Sequence, residues 1–546
     1  MSLTIVNGRI WTGDRARPWA EAVLCRDGRI AAVGTTREIR AAGAGAQEID
    51  AAGALVTPGF IDAHIHMIAG GFRLGWVALG GARSRDEFRS RLRAFAATKP
   101  EGEWLTGGDW DHERWGGVWP ARTWIDDVTP RHPVWLTRLD SHMALANSLA
   151  LRVAGIDRST PDVAGGAIVR DEHGEPTGLL KDNAMALVER VVPSPSPAQE
   201  DQALDAAMQF VASHGVTSVH HMGALPPAGS WNDLAIFRRV HARGGLRTRI
   251  YATVPLGTWE QLRDLIASRA CGGDDGRGDD WLHIGALKSF IDGSLGARTA
   301  AFHEPYADLP DERGLLVASL DDLRRWMIAA DRAGLQLITH AIGDRANTLL
   351  LDLYTDVGAA NGPRDRRLRV EHAQHLRPSD FGRFQPIGAL ASMQPYHAVD
   401  DGRWAERAIG ADRAKRSYAW RTLLDRGTRL AFGSDWFVAP PVPLQGIAAA
   451  VTRRTLDGTH PEGWIPEQRI ALDEALRAYT VDAAYAGFEE QRVGTIAPGF
   501  AADLAVLDRD LFQVPAEDIA LARVTATIVA GALQPGRALA AGSVAR

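Results

Sequence analysis

At 546 residues the chain is too long for one small core and of a length that suits a large barrel with a satellite domain. Its 45% hydrophobic and 23% charged residues are the proportions of an ordinary soluble globular protein, which excludes wholesale disorder. The 61 basic and 67 acidic residues leave a net charge of −6 with no long single-sign block, so nothing points to nucleic acid, and the short basic run Arg364–Arg367, broken by Asp365, reads as a solvated face.

The chain opens on Met-Ser-Leu-Thr-Ile-Val-Asn-Gly-Arg, with no basic region followed by an apolar stretch, and so does not read as a signal peptide. No apolar run approaches bilayer length. Cys25 and Cys271 are the only cysteines, which leaves no disulfide framework. These features predict a cytoplasmic protein without a membrane partner.

Leu3–Trp11, around Asn7-Gly8, and Ala22–Val33, around Asp27-Gly28, read as β structure, since both dipeptides supply the positive φ angles that tight hairpins need. Ala502–Leu507 and Val524–Ala530 repeat the texture at the far end. Neither end has enough strands to close a core alone, so residues 1–57 and 489–546 are expected to pair into one small β-sandwich without chemistry of its own. Between them, residues 58–488 alternate short apolar strands with helical stretches, the mark of a parallel α/β fold. Strands are expected at Phe60–His66, Val216–His220, Arg247–Val254, His283–Phe290, Gln336–His340, Leu368–His372, Ala389–Met393 and Thr428–Ser434. Eight is the number that closes a (β/α)8 TIM barrel. Ser196-Pro197 should start a helix that stops at Gly215, and Ser319 should cap one that stops at Gly334. The connection 67–197 is far longer than a βα loop and reads as an insertion after the first barrel strand. It carries Trp104, Trp110, Trp115, Trp119, Trp124 and Trp135, which serve either as the insertion's own core or, Trp110 among them, as the roof of an apolar substrate pocket.

Chemistry gathers at the strand ends. His64-Ile65-His66 closes the first strand, and alternation puts both imidazoles on one face. The fourth strand carries Lys288, the fifth ends in His340, the sixth in His372, and the eighth leads through Gly433-Ser434 into Asp435. In a barrel all these ends meet at one opening, and several imidazoles with a carboxylate in one small volume make a transition-metal site. Taken one at a time each has a bland alternative: a core histidine, an N-cap aspartate, a snorkelling lysine. Their shared depth on five strands favours the metal site.

The stretches Val56-Thr-Pro-Gly-Phe-Ile-Asp-Ala-His-Ile-His66, Leu287-Lys-Ser-Phe-Ile-Asp-Gly-Ser-Leu-Gly-Ala-Arg-Thr299, His340-Ala-Ile-Gly-Asp-Arg-Ala-Asn347, Arg369-Val-Glu-His372, Gly433-Ser-Asp-Trp436 and Gly494-Thr-Ile-Ala-Pro-Gly-Phe-Ala-Ala-Asp-Leu504 resemble the amidohydrolase superfamily. Within it the likeness is to amidohydrolase family 3, the group of the N-substituted formamide deformylases, and more distantly to the D-aminoacylases. It runs from the first hairpin to the last strand and includes Leu139-Asp-Ser-His142 in the insertion. The resemblance implies that His64, His66, His340 and His372 are metal ligands, that Asp435 both ligates metal and handles the proton, and that Lys288 is carboxylated by CO2. A carbamate would offer two oxygens to two cations, where an ammonium would be repelled, and an amine in such a field is held neutral enough to react. An unmodified Lys288 would leave room for one metal.

The expected reaction is hydrolysis of a non-peptide C–N bond in a small molecule, such as an N-formyl or N-acyl amine. Two ions roughly 3.5–4 Å apart would activate the attacking hydroxide and polarise the carbonyl, with Asp435 passing the proton to the departing amine. Zinc is the first choice for an imidazole-rich set, with iron, manganese and cobalt also suited. Arg298 in the loop after the fourth strand, His142 and His220 are further candidates for substrate contact. His220-His221 departs from the His-Asp usual in relatives, which changes the local charge. Two other readings stand beside this one: a deaminase of a ring-bearing substrate, which the bridging lysine disfavours, and a non-catalytic metal-binding regulatory protein, which has no evident need of six such groups. The oligomeric state is left open, a homodimer included.

Overall fold

The computed structural model describes residues 2–139, 143–164, 166–223 and 231–535. By Cα packing it falls into two compact units, residues 68–204 and the remainder.

The larger unit is built on eight parallel strands, β1 (Phe60–Ile65), β2 (Val216–His221), β3 (Arg249–Pro255), β4 (Leu282–Phe290), β5 (Gln336–Ala341), β6 (Leu368–His372), β7 (Ala389–Met393) and β8 (Leu430–Phe432), hydrogen-bonded in sequence order. Each is buried along most of its length, the pattern of a parallel sheet covered on both sides. The ring is almost closed: beyond the ends of β1 and β8, Asp435 N donates to the His64 carbonyl at 2.7 Å, and His66 N donates to the Trp436 carbonyl at 2.8 Å. β8 is shorter than the expected Thr428–Ser434 because the chain turns inward at Gly433-Ser434. There the Ser434 hydroxyl and N–H donate to the Asp62 carboxylate at 2.5 and 2.9 Å. Gly433 makes this closure sterically feasible, since a Cβ there would press into the His64 backbone and come within 2.8 Å of Asp62 Oδ1. Gly433→Ala is expected to lower stability by about 1–3 kcal/mol, the usual cost of overpacking. Urea unfolding of wild type and variant measures it, and equal midpoints would show that the seam yields.

The helix punctuation matches the expectation. Pro197–Ala212 starts behind Ser196, whose side chain and N–H engage Gln199, and Gly215 at φ 82° turns the chain into β2. Ser319 accepts from Asp322 N at the head of Leu320–Arg332, and Gly334 at φ 78° ends that excursion.

The chain ends form two further sheets. One, in spatial order 29–34, 22–26, 2–6, 47–50, comes from the N-terminal segment alone; the other, in order 532–533, 524–529, 504–507, 55–58, 9–11, 19–20, mixes both ends. Ile5, Val23, Cys25 and Ile30 from the first share one apolar cluster with Ile10, Val56, Leu504, Val506 and Ile528 from the second. Asp27-Gly28 makes the expected hairpin, with both residues at positive φ. Asn7-Gly8 does not: 2–6 and 9–11 lie in different sheets, and Gly8 keeps a negative φ where it passes Val56, so this dipeptide is a crossing between sheets. The basic run also differs from the solvated face expected of it. Arg364 and Arg366 both bond the buried Asp331 carboxylate, and Arg367 pairs with Glu490.

The smaller unit has a six-stranded sheet of its own, in spatial order 166–170, 176–182, 143–146, 134–138, 105–110 and 77–78. Trp110, Trp124 and Trp135 are buried in its two apolar clusters, with Trp104 and Trp115 packed against them, whereas Trp119 is exposed and covered by the Lys181 ammonium at 3.9 Å. Among the described residues of the chain no helix is long and apolar enough to cross a membrane.

Candidate metal centre

At the C-terminal end of the barrel, the strand ends bring several donors within reach of one another. Ligand atoms of His64, His372 and Asp435 lie within 4.8 Å of each other. Asp435 Oδ1 sits 3.3 Å from His64 Nε2 and 3.1 Å from His66 Nε2. The His340 ring centroid is 4.5 Å from that of His372, which is 4.8 Å from that of His64. All five are buried. His372 and Asp435 have φ of 70° and 59°, a left-handed backbone that side-chain-bearing residues adopt at a cost. The surrounding fold holds both side chains towards the cluster in that conformation.

Each imidazole is oriented through the nitrogen that faces away. His64 Nδ1 meets Glu371 Oε2 at 2.5 Å, His66 Nδ1 meets the Gly223 carbonyl at 2.8 Å, and His372 Nδ1 meets Gln394 Oε1 at 2.8 Å. His340 is held through its other nitrogen, Nε2, by the Gly293 carbonyl at 3.0 Å. An acceptor on one nitrogen keeps the proton there and leaves the second lone pair free, which is how metal-ligating histidines are normally supported. These imidazoles and the carboxylate therefore fit a divalent cation.

Charges beneath the cluster are balanced by a buried column. Arg369 donates to Glu371 Oε1 at 2.7 Å, to His220 Nδ1 at 2.8 Å, and to the Ala63 carbonyl and the Ser392 hydroxyl at 2.6 and 3.1 Å. Burial alone would raise the Glu371 carboxyl, but Arg369 and His64 hold it well below the usual carboxylate range. Burial pushes against Asp435 too, and the neighbouring imidazoles of His64, His66 and His372 override it, so this group is a carboxylate. Burial, with His340 and His64 close by, keeps the His372 ring well below its ordinary value and hence neutral. Lys288, on β4, is buried with its ammonium 4.9 Å from the Phe290 ring centroid. Desolvation lowers its amine to about 8, against the opposing pull of Glu371 and Asp435.

Of the other expected site residues, His220, Arg298 and Trp110 each have partners of their own. His220 is inside the barrel, bonded to Arg369. Its neighbour His221 joins Asp233 at 3.0 Å and accepts the Met67 N–H. Arg298 is paired with Asp308 through Nε and Nη2, at 3.2 and 2.6 Å. Trp110 belongs to the smaller unit, wholly buried there with its indole N–H on the Leu136 carbonyl at 2.8 Å. His142 lies outside the described residues. Arg369, Glu371, Asp62 and Gln394 were not anticipated as site residues. For the first two the signal is Arg-x-Glu-His at a strand end, where alternation turns Arg369 and Glu371 to the same side.

A family model described as amidohydrolase family matches residues 47–533. The chain is similar to Protein LONG AFTER FAR-RED 3 of Arabidopsis thaliana, with 41% identity over 97% of this chain and 91% of that one. It is 29% identical to the N-substituted formamide deformylase of Arthrobacter pascens, over 97% of this chain and 98% of the relative. Among solved structures, an uncharacterized metal-dependent hydrolase from Pyrococcus horikoshii OT3 superposes with a TM-score of 0.77 at 26% identity, covering 94% of this chain and 99% of that one.

Proposed function

The chain belongs to the amidohydrolase family, and from that membership together with the site we infer that it hydrolyses a non-peptide C–N bond, as in an N-formyl or N-acyl amine, at a pair of divalent metal ions, zinc by preference. The observation that carries this reading is the set of imidazoles around Asp435, each held by an acceptor on the nitrogen turned away from the cluster. The likeness to an N-substituted formamide deformylase supports the choice of bond.

His64, His66, His340, His372 and Asp435 would hold the metal, with Lys288, carboxylated on Nζ, as a further ligand. The buried amine with its depressed pKa favours that modification, because only the neutral form attacks CO2. Bound divalent cations supply Lewis-acid activation of water and of the substrate carbonyl. Asp435, present as the carboxylate, takes the proton of the attacking water and returns it to the nitrogen, which leaves as a neutral amine. Glu371 and Arg369 keep His64 aimed. We read the two terminal sheets as one sandwich made from both chain ends, and residues 67–197 as an insertion, which leaves the chemistry to the barrel.

Dialysis against a chelator is expected to abolish turnover of the responsive member of a panel of N-formyl amines, N-acyl amines and cyclic amides, and zinc to restore it, with two metals per chain in the active protein. Activity that survives complete metal removal would sink the reading. Ammonia release from ring-bearing amines would move the assignment to deamination, and metal without turnover of any panel member would move it to a binding role.

A further inference from the structure

A cavity of about 380 Å³ lies at the other end of the barrel, within the size range of small-molecule pockets. Tyr251, His283 and Gln336, which line it, are among the first three residues of β3, β4 and β5, whereas the metal-facing histidines stand near or beyond the last residues of their strands. That end of such a barrel ordinarily serves stability, yet here the wall is charged. Four guanidinium groups, of Arg277, Arg364, Arg366 and Arg492, line the cavity against two carboxylates, of Asp275 and Asp365. Both carboxylates have partners: Arg277 N donates to Asp275 Oδ1 at 2.9 Å, and Arg367 Nε to Asp365 Oδ2 at 3.0 Å. Arg366 and Arg492 are engaged as well, the first with Asp331 and the second with Asp280 and Glu489. Arg277 and Arg364 keep donors to spare. Arg277 Nη2 donates to the Gly334 carbonyl at 2.9 Å, and Arg364 gives Nε and Nη2 to Asp331, which leaves Nη1 of each without a hydrogen bond among the described residues. The two groups face one open point. A Cβ built on Gly334, itself in the wall, would stand 3.9 Å from Arg277 Nη2 and 3.9 Å from Arg364 Nη1, with no other atom within 4 Å beyond its own chain neighbours. His283 Nδ1 is also buried without a partner among the described residues. Burial, with Arg492 and Arg277 close by, pushes that ring down to about 4, so the wall is positive where His283 meets it. Buried polar groups are nearly always paired, and these ask for a partner from outside the chain.

We propose that this cavity binds a small organic oxyanion, a carboxylate or a phosphate, with its head between Arg277 and Arg364 and its apolar body against the rings of Tyr251 and Phe488. The planar fork of a guanidinium suits either head, because two parallel N–H groups can meet two oxygens of one anion. Tyr251 and Phe488 both line the cavity, and the Tyr251 hydroxyl is already spent on Gln336 Oε1 at 2.8 Å, so this side of the wall offers aromatic surface. None of these residues is among the metal-facing groups, so the site stands or falls independently of the hydrolase reading.

The test is calorimetry on the full chain with benzoate, phenyl phosphate and the neutral benzamide. At least one of the two oxyanions is expected to bind with a Kd of about 1 mM or tighter, and benzamide about tenfold or more weakly than that. The tighter oxyanion identifies the head group. Arg277→Gln and Arg364→Gln keep an N–H and remove the charge, and each should weaken that oxyanion about tenfold or more. Arg364→Gln leaves Asp331 to Arg366 alone. Should it fail to fold, Arg277→Gln decides, since that guanidinium bonds only the Gly334 carbonyl and its carboxylate neighbour Asp275 is largely exposed. Affinity within about twofold of wild type in Arg277→Gln would place the oxyanion elsewhere, the metal centre included, and overturn the site. Binding of neither oxyanion by the wild type, or of benzamide as tightly as the oxyanions, would overturn it too.

Discussion

Asp435→Asn is expected to lower kcat by about 10²–10⁴-fold while the protein keeps its fold and most of its metal, the range that a positioned acid–base group normally contributes. The asparagine has nearly the same shape, and its side-chain oxygen can still face His64 Nε2 and His66 Nε2, where Oδ1 now lies at 3.3 and 3.1 Å. What it cannot do is accept a proton from water and surrender it to the amine. Loss of turnover with retained metal therefore isolates the proton transfer. Metal analysis and single-turnover kinetics on the same preparation are the measurement, and near-wild-type turnover would remove Asp435 from that role.

The second large effect is expected at a residue that need not touch substrate. Arg369→Met should cost about 3–5 kcal/mol of stability, because it leaves the Glu371 carboxylate buried with its strongest partner gone. Arg369 and Glu371 are both wholly buried, and the guanidinium also serves His220 Nδ1 and the Ala63 carbonyl, so one substitution strips donors from three buried acceptors. Metal affinity should fall about 10–100-fold in the protein that still folds, since Glu371 is what fixes His64. Urea unfolding and chelator competition read the two effects separately. A stability loss below about 1 kcal/mol would mean that water has taken the place of the guanidinium, within the range that exposed ion pairs contribute.

Much of this was legible in the residues themselves. All eight barrel strands fall within three residues of the expected spans, because a strand buried on both faces leaves a short apolar run whose length and flanking turn residues set it apart from a helix. His64-x-His66 and the strand-end positions of His340, His372 and Asp435 could be placed because a barrel has only one end where its strands finish. The supports were harder to see. Arg369-Val-Glu371 looks like any polar–apolar–polar strand, and only the closed ring turns its charged side inward. Gln394, whose side-chain oxygen meets His372 Nδ1, gave no signal either. The run at 364–367 was misread for the opposite reason: its carboxylate partners Asp331 and Glu490 lie 33 to 123 residues away in sequence, beyond any local pattern.

The strand 55–58 is laid down before the barrel begins, yet it pairs with 504–507, about 450 residues later. At a synthesis speed of roughly 5–20 residues per second, that edge waits some 20–90 s on the ribosome for its neighbour. During the wait, a ladder of unpaired amides beside Val56 is open to any passing β-prone chain. The nascent protein thus meets its greatest hazard of sticking to other polypeptides before its own last strands exist, and fast translation or a holding chaperone should raise the soluble yield.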